Sequence, residues 1–109
     1  MTSFSNPEDQ KLLTLASATL KRTGAAQAAA LRDNTGRTYV AIPVKSGDFE
    51  IDSLLAVLVV AKASGITGIE AIVIAGEAAA ASSIAIIRAQ DSAVKLFTVT
   101  DVDDLVSIE

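Results

Sequence analysis

The chain contains no cysteine and no histidine among its 109 residues. This absence excludes disulfides, thiolate and imidazole metal ligands, histidine general bases and cysteine nucleophiles. Any chemistry has to come from Asp, Glu, Lys, Arg, Ser, Thr or the single tyrosine. We therefore expect no metal site and no cofactor, and most hydrolase mechanisms are excluded.

Aromatic residues are also scarce, with three Phe, one Tyr and no Trp, although 50% of the residues are hydrophobic. The core must therefore consist of Ala, Val, Ile and Leu, which suit close packing of helices on a sheet. This apolar content excludes disorder in the middle of the chain. The length predicts one domain over residues 1–109, of which we expect residues 1–5 to be disordered.

Basic residues are few and scattered, and the net charge is −4. Nucleic-acid partners are met by clustered Lys and Arg, so none is expected here. Met1–Pro7 has neither the charged nor the apolar region of a secretory signal. The longest strictly apolar run, residues 54–61, is far shorter than the roughly 20 residues that span a bilayer. We expect a cytoplasmic protein with no membrane partner.

Capping signals and periodicity predict a helix over Asn6–Arg22, with Asn6 as the cap and Gly24 beyond the end. The alanine-rich segment that follows is ambiguous. Asp33–Gly36 is a hairpin signal, which favours a strand at Gln27–Arg32 pairing with Tyr39–Val44. The alternative is a helix that continues through Ala30.

The second half alternates between helical and strand patterns. Either Asp48 or Asp52 can cap the apolar segment DSLLAVLVVAKASG, and Gly65 suits the left-handed position after it. The predicted elements are a polar loop at Lys45–Asp48, this helix, a buried strand at Ile69–Ala75, a helix at Glu77–Gln90, a strand at Val94–Thr98 and a final turn from Thr100.

This order predicts an α/β fold, namely a three-layer α/β/α sandwich with a mixed sheet. An N-terminal β-hairpin is followed by βαβαβ, so the sheet should have a parallel core and helices on both faces. A helix that is apolar nearly all round then lies buried, with one side on the sheet and the other against a helix or subunit.

Several segments, in this order, resemble the cytidine deaminase family over about Leu12–Val106. They are NTGRTYVAIPV for the hairpin, DSLLAVLVVAKASG for the helix that begins with a zinc ligand, IEAIVIAGE for the next strand, SSIAIIRAQ for the helix after the cysteine pair, and LFTVTDVDDLV for the last strand and C-terminal turn. In the family, the first of these helices begins with (C or H)-A-E and P-C-x-x-C opens the second. The resemblance implies a cytidine deaminase-like fold.

The residues that carry the family's chemistry are replaced. Asp52 stands at the first zinc ligand, Leu54 at the proton-shuttling Glu, and the two cysteines fall within Ala78–Ser83. The ribose-binding N-x-E lies near Ala41–Lys45, where the sequence reads AIPVK. Deamination requires an activated hydroxide and a carboxylate that moves protons. We therefore expect no catalysis, and a vestigial pocket at Asp52, Ser53, Glu77, Ser82 and Ser83.

Other patterns are weaker. An acidic cluster at Asp101, Asp103 and Asp104 lacks the calcium-loop pattern and favours a solvated helix start. The loop Gly65–Gly68 runs from helix to strand, opposite to a phosphate loop. The turn at Ala75–Glu77 has the right direction, and an anion there could use Ser82 or Ser83. Neither serine has a nearby lysine to serve as base for a nucleophile.

Three functional hypotheses follow. The first is a homo-oligomeric structural or interaction module, a homodimer or homotetramer whose interface uses Leu54, Leu55, Leu58 and Val59. The second is a binder of a nucleoside, nucleotide or other small ligand in the vestigial pocket. The third is an enzyme with unfamiliar chemistry that uses Asp52, Glu77 or Lys62.

Overall fold

The computed structural model describes residues 6–99 and 105–108. The elements are α1 (Pro7–Thr23), β1 (Gln27–Asp33), β2 (Thr38–Ala41), β3 (Val44–Ser46), β4 (Phe49–Ile51), α2 (Ser53–Ala63), β5 (Ile69–Gly76), α3 (Ala81–Gln90), β6 (Lys95–Val99) and β7 (Leu105–Ile108). None of the helices in these ranges has the length and apolar character to span a membrane.

The first helix has the limits that its capping signals predicted. The Asn6 side chain accepts a hydrogen bond from the N–H of Glu8 at 2.9 Å. At the other end, Gly24 adopts the left-handed conformation with φ 68°, and its N–H donates to the carbonyl of Leu20. Both ends of α1 are therefore closed by local hydrogen bonds.

The main sheet has the strand order β2-β1-β5-β6-β7. Strand β1 is antiparallel to both β2 and β5, β5 is parallel to β6, and β7 is antiparallel to β6. The predicted mixed sheet is confirmed. Its parallel part is the pair β5–β6. Strand β2 runs in the same direction as β5, but the antiparallel strand β1 lies between them.

Strand β1 begins at Gln27 as predicted, so the helical alternative through Ala30 is wrong. All seven residues of the strand are buried. Alanine favours helices by local propensity, but pairing on both edges and packing on both faces select the extended form here. The turn to β2 is held by Asp33, whose carboxylate accepts from the N–H and hydroxyl of Thr35 and from the N–H of Arg37.

Helices cover both faces of the sheet, which confirms the three-layer sandwich. On one face Leu12 and Ala16 of α1 pack in a cluster with Ala30 and Val73. On the other face α2 and α3 pack on the sheet in a separate cluster, whose fully buried members include Leu31, Leu54, Val57, Ile72, Ile74 and Ile87.

A buried ion-pair cluster anchors the start of α1 to the sheet. Arg32 of β1 donates to Asp9 at 2.7 Å and to Glu70 of β5 at 2.6 Å. The side chains of Arg32 and Asp9 are 3% and 4% exposed, so this pair is removed from water. Burial lowers the pKa of Arg32, but the hydrogen bonds that Arg32 donates to Asp9 and Glu70 outweigh this effect, so the pKa is raised.

Three predicted features need correction or fall outside the described residues. A two-stranded hairpin, β3–β4, replaces the predicted loop at Lys45–Asp48, with Gly47 at φ 59° in its turn. Helix α3 begins at Ala81, not Glu77, because the intervening residues are held in an extended loop by bonds to other elements. The turn predicted from Thr100 lies outside the described residues, and β7 follows it.

Candidate functional site

A cleft of about 530 Å³ opens between the N-termini of α2 and α3 and the hairpin β3–β4. Its floor comes from the start of β1 and from the loop after β5. The lining residues are Ala26, Gln27, Pro43, Lys45, Glu50, Ile51, Asp52, Leu55, Glu77, Ala78, Ala80, Ser82 and Ser83. The cleft is therefore lined by charged and polar side chains together with apolar ones.

Asp52 lies where the two helix starts meet. It is the N-cap of α2, and one carboxylate oxygen, Oδ1, accepts from the N–H of Leu55 at 3.0 Å. The other oxygen, Oδ2, accepts from the N–H of Ala80 at 3.1 Å. Ala80 is itself the N-cap of α3 and has no side chain that could cap it. A single carboxylate thus caps two helices.

Gln27 forms a second connection beneath Asp52. This side chain at the start of β1 is buried, and its Oε1 accepts from both the N–H of Ser53 at 2.8 Å and the hydroxyl of Ser53 at 2.6 Å. Its Nε2 donates to the carbonyl of Glu77 at 2.9 Å. Gln27 therefore joins β1, α2 and the loop that leads to α3.

The structure brings most of the predicted pocket residues to this cleft. Asp52, Glu77, Ser82 and Ser83 line it. Ser53 is fully buried beneath the cleft, with its hydroxyl bonded to Gln27, and does not line it. Gln27 was missed because its role depends on residues 26 and 50 positions away, and no local pattern indicates it.

Ser83 differs from the other lining residues because it combines burial with an unpaired hydroxyl. The residue is 3% exposed and lies in the first turn of α3. Within residues 6–99 and 105–108 its hydroxyl has no hydrogen-bond partner, and neither has the hydroxyl of Ser82. These two groups are available to a molecule in the cleft.

The charge of the lining is negative. Glu50, Asp52 and Glu77 contribute carboxylates, whereas Lys45 is the cation among the lining residues. Lys45 Nζ lies 3.8 Å from Glu50 Oε2, and both side chains are mostly exposed, so that pair is weak. This charge balance disfavours an anion in the cleft.

The predicted interface residues on α2 do not share one outer face, and the set needs correction. Leu54 is fully buried and Leu58 is 8% exposed, because both pack in the core beneath α2. Leu55 lines the cleft. Val59 is 59% exposed, and the exposed apolar side chains that the prediction omitted are Val60 on α2 and Ile86 on α3.

The residues at the helix starts do not fit a zinc ion. Both oxygens of Asp52 are bonded to backbone N–H groups, and Ala80 offers no donor atom. In the described part of the chain, no three Asp or Glu side chains come together as a group that could hold a metal. Structural and catalytic zinc sites use three or four ligands, mostly nitrogen and sulfur. Leu54 points into the core and supplies no carboxylate to the cleft.

Comparison with known proteins relates this architecture to one family. The cytidine deaminase-like family matches residues 5–103. Among solved structures, cytidine deaminase from Mycobacterium leprae is similar, with a TM-score of 0.70 and 12% sequence identity, over 89% of this chain and 90% of that one. No curated protein matches the sequence. The match over most of the chain shows that the protein belongs to the cytidine deaminase-like family.

Proposed function

We propose that this protein is a non-catalytic member of its family that acts as a homo-oligomeric structural or interaction module. The observation that carries the first half is the state of Asp52, whose two oxygens are both engaged in capping helices. A metal-activated hydroxide needs a set of open ligands, and a proton shuttle needs a carboxylate facing the substrate. The start of α2, which borders the cleft, offers neither a set of open ligands nor such a carboxylate.

The assay for this half of the proposal is cytidine turnover. Purified protein, with and without added zinc, is incubated with cytidine, and the ultraviolet absorbance is followed. We expect no change above the rate without protein. A loss of absorbance that is proportional to protein and is abolished in Asp52→Ala would overturn the non-catalytic assignment.

The solvent-exposed sides of α2 and α3 support the proposal that the protein is a homo-oligomer. Both helices lie on the same face of the sheet, and Val59, Val60 and Ile86 are 59%, 43% and 42% exposed. A neighbouring copy that covers these side chains would remove apolar surface from water, at about 25 cal/mol per Å². The partner in this proposal is a second copy of the chain.

Light scattering at micromolar concentration tests the oligomer. We expect a dimer or larger species, and a shift toward monomer in Val59→Glu. Val44→Glu is the matched control, since Val44 is 42% exposed but belongs to strand β3 and not to either helix. A monomer in the unmodified protein, or equal effects of the two variants, would overturn this role.

A second candidate is a binder of a nucleoside, nucleotide or other small ligand in the cleft, and the negative lining favours an uncharged nucleoside over a nucleotide. The specific observation is Ser83, a residue that is 3% exposed and lines the cleft, and whose hydroxyl has no hydrogen-bond partner among the described residues. A ligand that binds only the native state raises its melting temperature. We expect a shift with one member of a panel of bases, nucleosides and nucleotides, reduced in Ser83→Ala and unchanged in Ser46→Ala. No shift across the panel would exclude these ligand classes.

A further inference from the structure

One side chain joins the starts of α2 and α3, where the family resemblance places metal ligands. The joining atoms are the carboxylate oxygens of Asp52, one on Leu55 of α2 and one on Ala80, the N-cap of α3. The two N–H groups belong to different helices, and Asp52 is 28 residues from Ala80. The contact is therefore a tertiary link and not only a local cap.

Electrostatics favour this arrangement. The N-terminus of a helix carries a partial positive charge, and nearby carboxylates stabilise it. Neither α2 nor α3 has an acidic residue in its first turn. The carboxylate of Asp52 is thus the group that meets both positive ends, and charge-assisted hydrogen bonds of this kind are stronger than neutral ones.

Gln27 reinforces the link from below. It accepts two hydrogen bonds from Ser53, the first residue of α2, and donates one to the carbonyl of Glu77 on the loop before α3. Gln27 and Ser53 are 3% and 0% exposed. Water therefore competes little with these bonds, and the helix starts are held from two sides.

We propose that the carboxylate of Asp52, supported by Gln27, replaces a bound metal as the structural link between the starts of α2 and α3. The proposal concerns what holds the cleft together, and it rests on the same two hydrogen bonds of Asp52 as the non-catalytic assignment. Amide exchange tests the link and cytidine turnover tests the assignment, so the two can fail separately. The proposal explains how a member of this family keeps the two helix starts in register without soft ligands. It also assigns to Asp52 a positioning role with no part in chemistry.

The experiment compares Asp52→Asn with Asp52→Ala by residue-resolved amide hydrogen exchange. An asparagine offers one acceptor oxygen in place of two and still caps α2 well. In Asp52→Asn we expect the N–H of Ala80 to exchange faster by on the order of tenfold or more, with the N–H of Leu55 still protected. In Asp52→Ala both groups should lose protection.

Asp48→Asn is the matched control. Asp48 is exposed in the β3–β4 turn and has no side-chain hydrogen bond or ion pair within the described ranges, so the same change of charge should leave both N–H groups protected. Wild-type protection of Ala80 and Leu55 in Asp52→Asn would overturn the proposal.

A second measurement on the unmodified protein covers the case in which the variants fail to fold. Thermal unfolding is recorded with EDTA and with an equimolar amount of zinc chloride. If Asp52 replaces the metal, neither addition should change the melting temperature. A lower melting temperature in EDTA would show that a metal holds the helix starts, and the proposal would be wrong.

Discussion

Leu54 stands where the family's proton-shuttling carboxylate is expected, and truncating it tests whether this position faces the core or the cleft. The side chain is 0% exposed and packs in the cluster beneath α2. Replacing such a leucine by alanine removes buried methyl groups and leaves a cavity. We expect Leu54→Ala to cost about 3–5 kcal/mol in the free energy of unfolding, the upper part of the usual range for this change.

Leu54→Glu should cost more, because the carboxylate would be buried without a partner or would have to bind a proton. Since domains of this size have about 5–15 kcal/mol of stability, that variant should be largely unfolded or close to it. Leu54→Met keeps the volume and should lose less than about 1.5 kcal/mol. Leu55→Ala is the matched control, because Leu55 is only partly buried and lines the cleft.

Urea unfolding followed by circular dichroism measures these differences. With a slope of about 1–3 kcal/mol per molar urea, Leu54→Ala should lower the midpoint by roughly 2 M. Leu55→Ala should shift it by less than half as much. If Leu54→Glu unfolds at the same urea concentration as the unmodified protein, the side chain faces the cleft and the argument is refuted.

Three further predictions concern the site and its supports. The variant Asp52→Cys/Ala80→Cys/Ser83→Cys places three thiolates at the helix starts and should bind about one zinc ion per chain. Metal analysis should find no zinc in the unmodified protein. A variant that binds no zinc would mean that these three positions do not come together. Gly76→Ala should destabilise the fold by at least 1–2 kcal/mol more than Gly36→Ala, because both glycines have φ near +90° but only at Gly76 would a Cβ collide with backbone; equal losses in urea unfolding would contradict this. The pKa of Asp33 is lowered because, although burial alone would raise it, hydrogen bonds from Thr35 and Arg37 prevail. Its stabilising contribution is therefore present above the ordinary pKa of 3.8 and lost as the pH falls through the lower folded value, so the melting temperature of Asp33→Asn should decline less between pH 5 and pH 2 than that of the unmodified protein.

Local signals predicted those elements whose limits depend on nearby residues. Asn6 and Gly24 close α1 through bonds to residues two and four positions away. The almost continuous apolar run at Ile69–Ala75 also predicts a strand that is covered on both faces, and this segment forms the central strand β5. In these segments the sequence pattern and the tertiary packing favour the same conformation.

The features that sequence analysis missed depend on distant partners. Residues 77–80 have helical propensity, yet the N–H of Glu77 bonds to Ala26 and that of Ala80 bonds to Asp52, so α3 starts later. The hairpin β3–β4 has strands of three exposed or half-buried residues, which is too short for a periodic signal. The assignment of Leu54 and Leu58 to an interface instead of the core was also wrong, because an all-apolar helix has no pattern that distinguishes its inner side from its outer side.

The same limit applies to the candidate site. Asp52 was identified as a helix cap and a vestigial ligand from its position before an apolar run. The sequence does not predict the hydrogen bond between its second oxygen and Ala80, because that contact depends on how α2 and α3 pack on the sheet. Gln27 was assigned only to a strand, and its hydrogen bonds to Ser53 and Glu77 depend on the same packing of the helices on the sheet.

The alanines of β1 have a consequence for the order of folding. Ala28, Ala29 and Ala30 all pair with β5, and Ala29 and Ala30 also pair with β2; β5 lies about 40 residues later in the chain. Before β5 is available, local preference favours a helix for this segment. Long-range pairing of this kind is slow because the loop must close before contacts compensate the lost entropy. We therefore expect β1 to be among the last parts of the sheet to become protected during refolding.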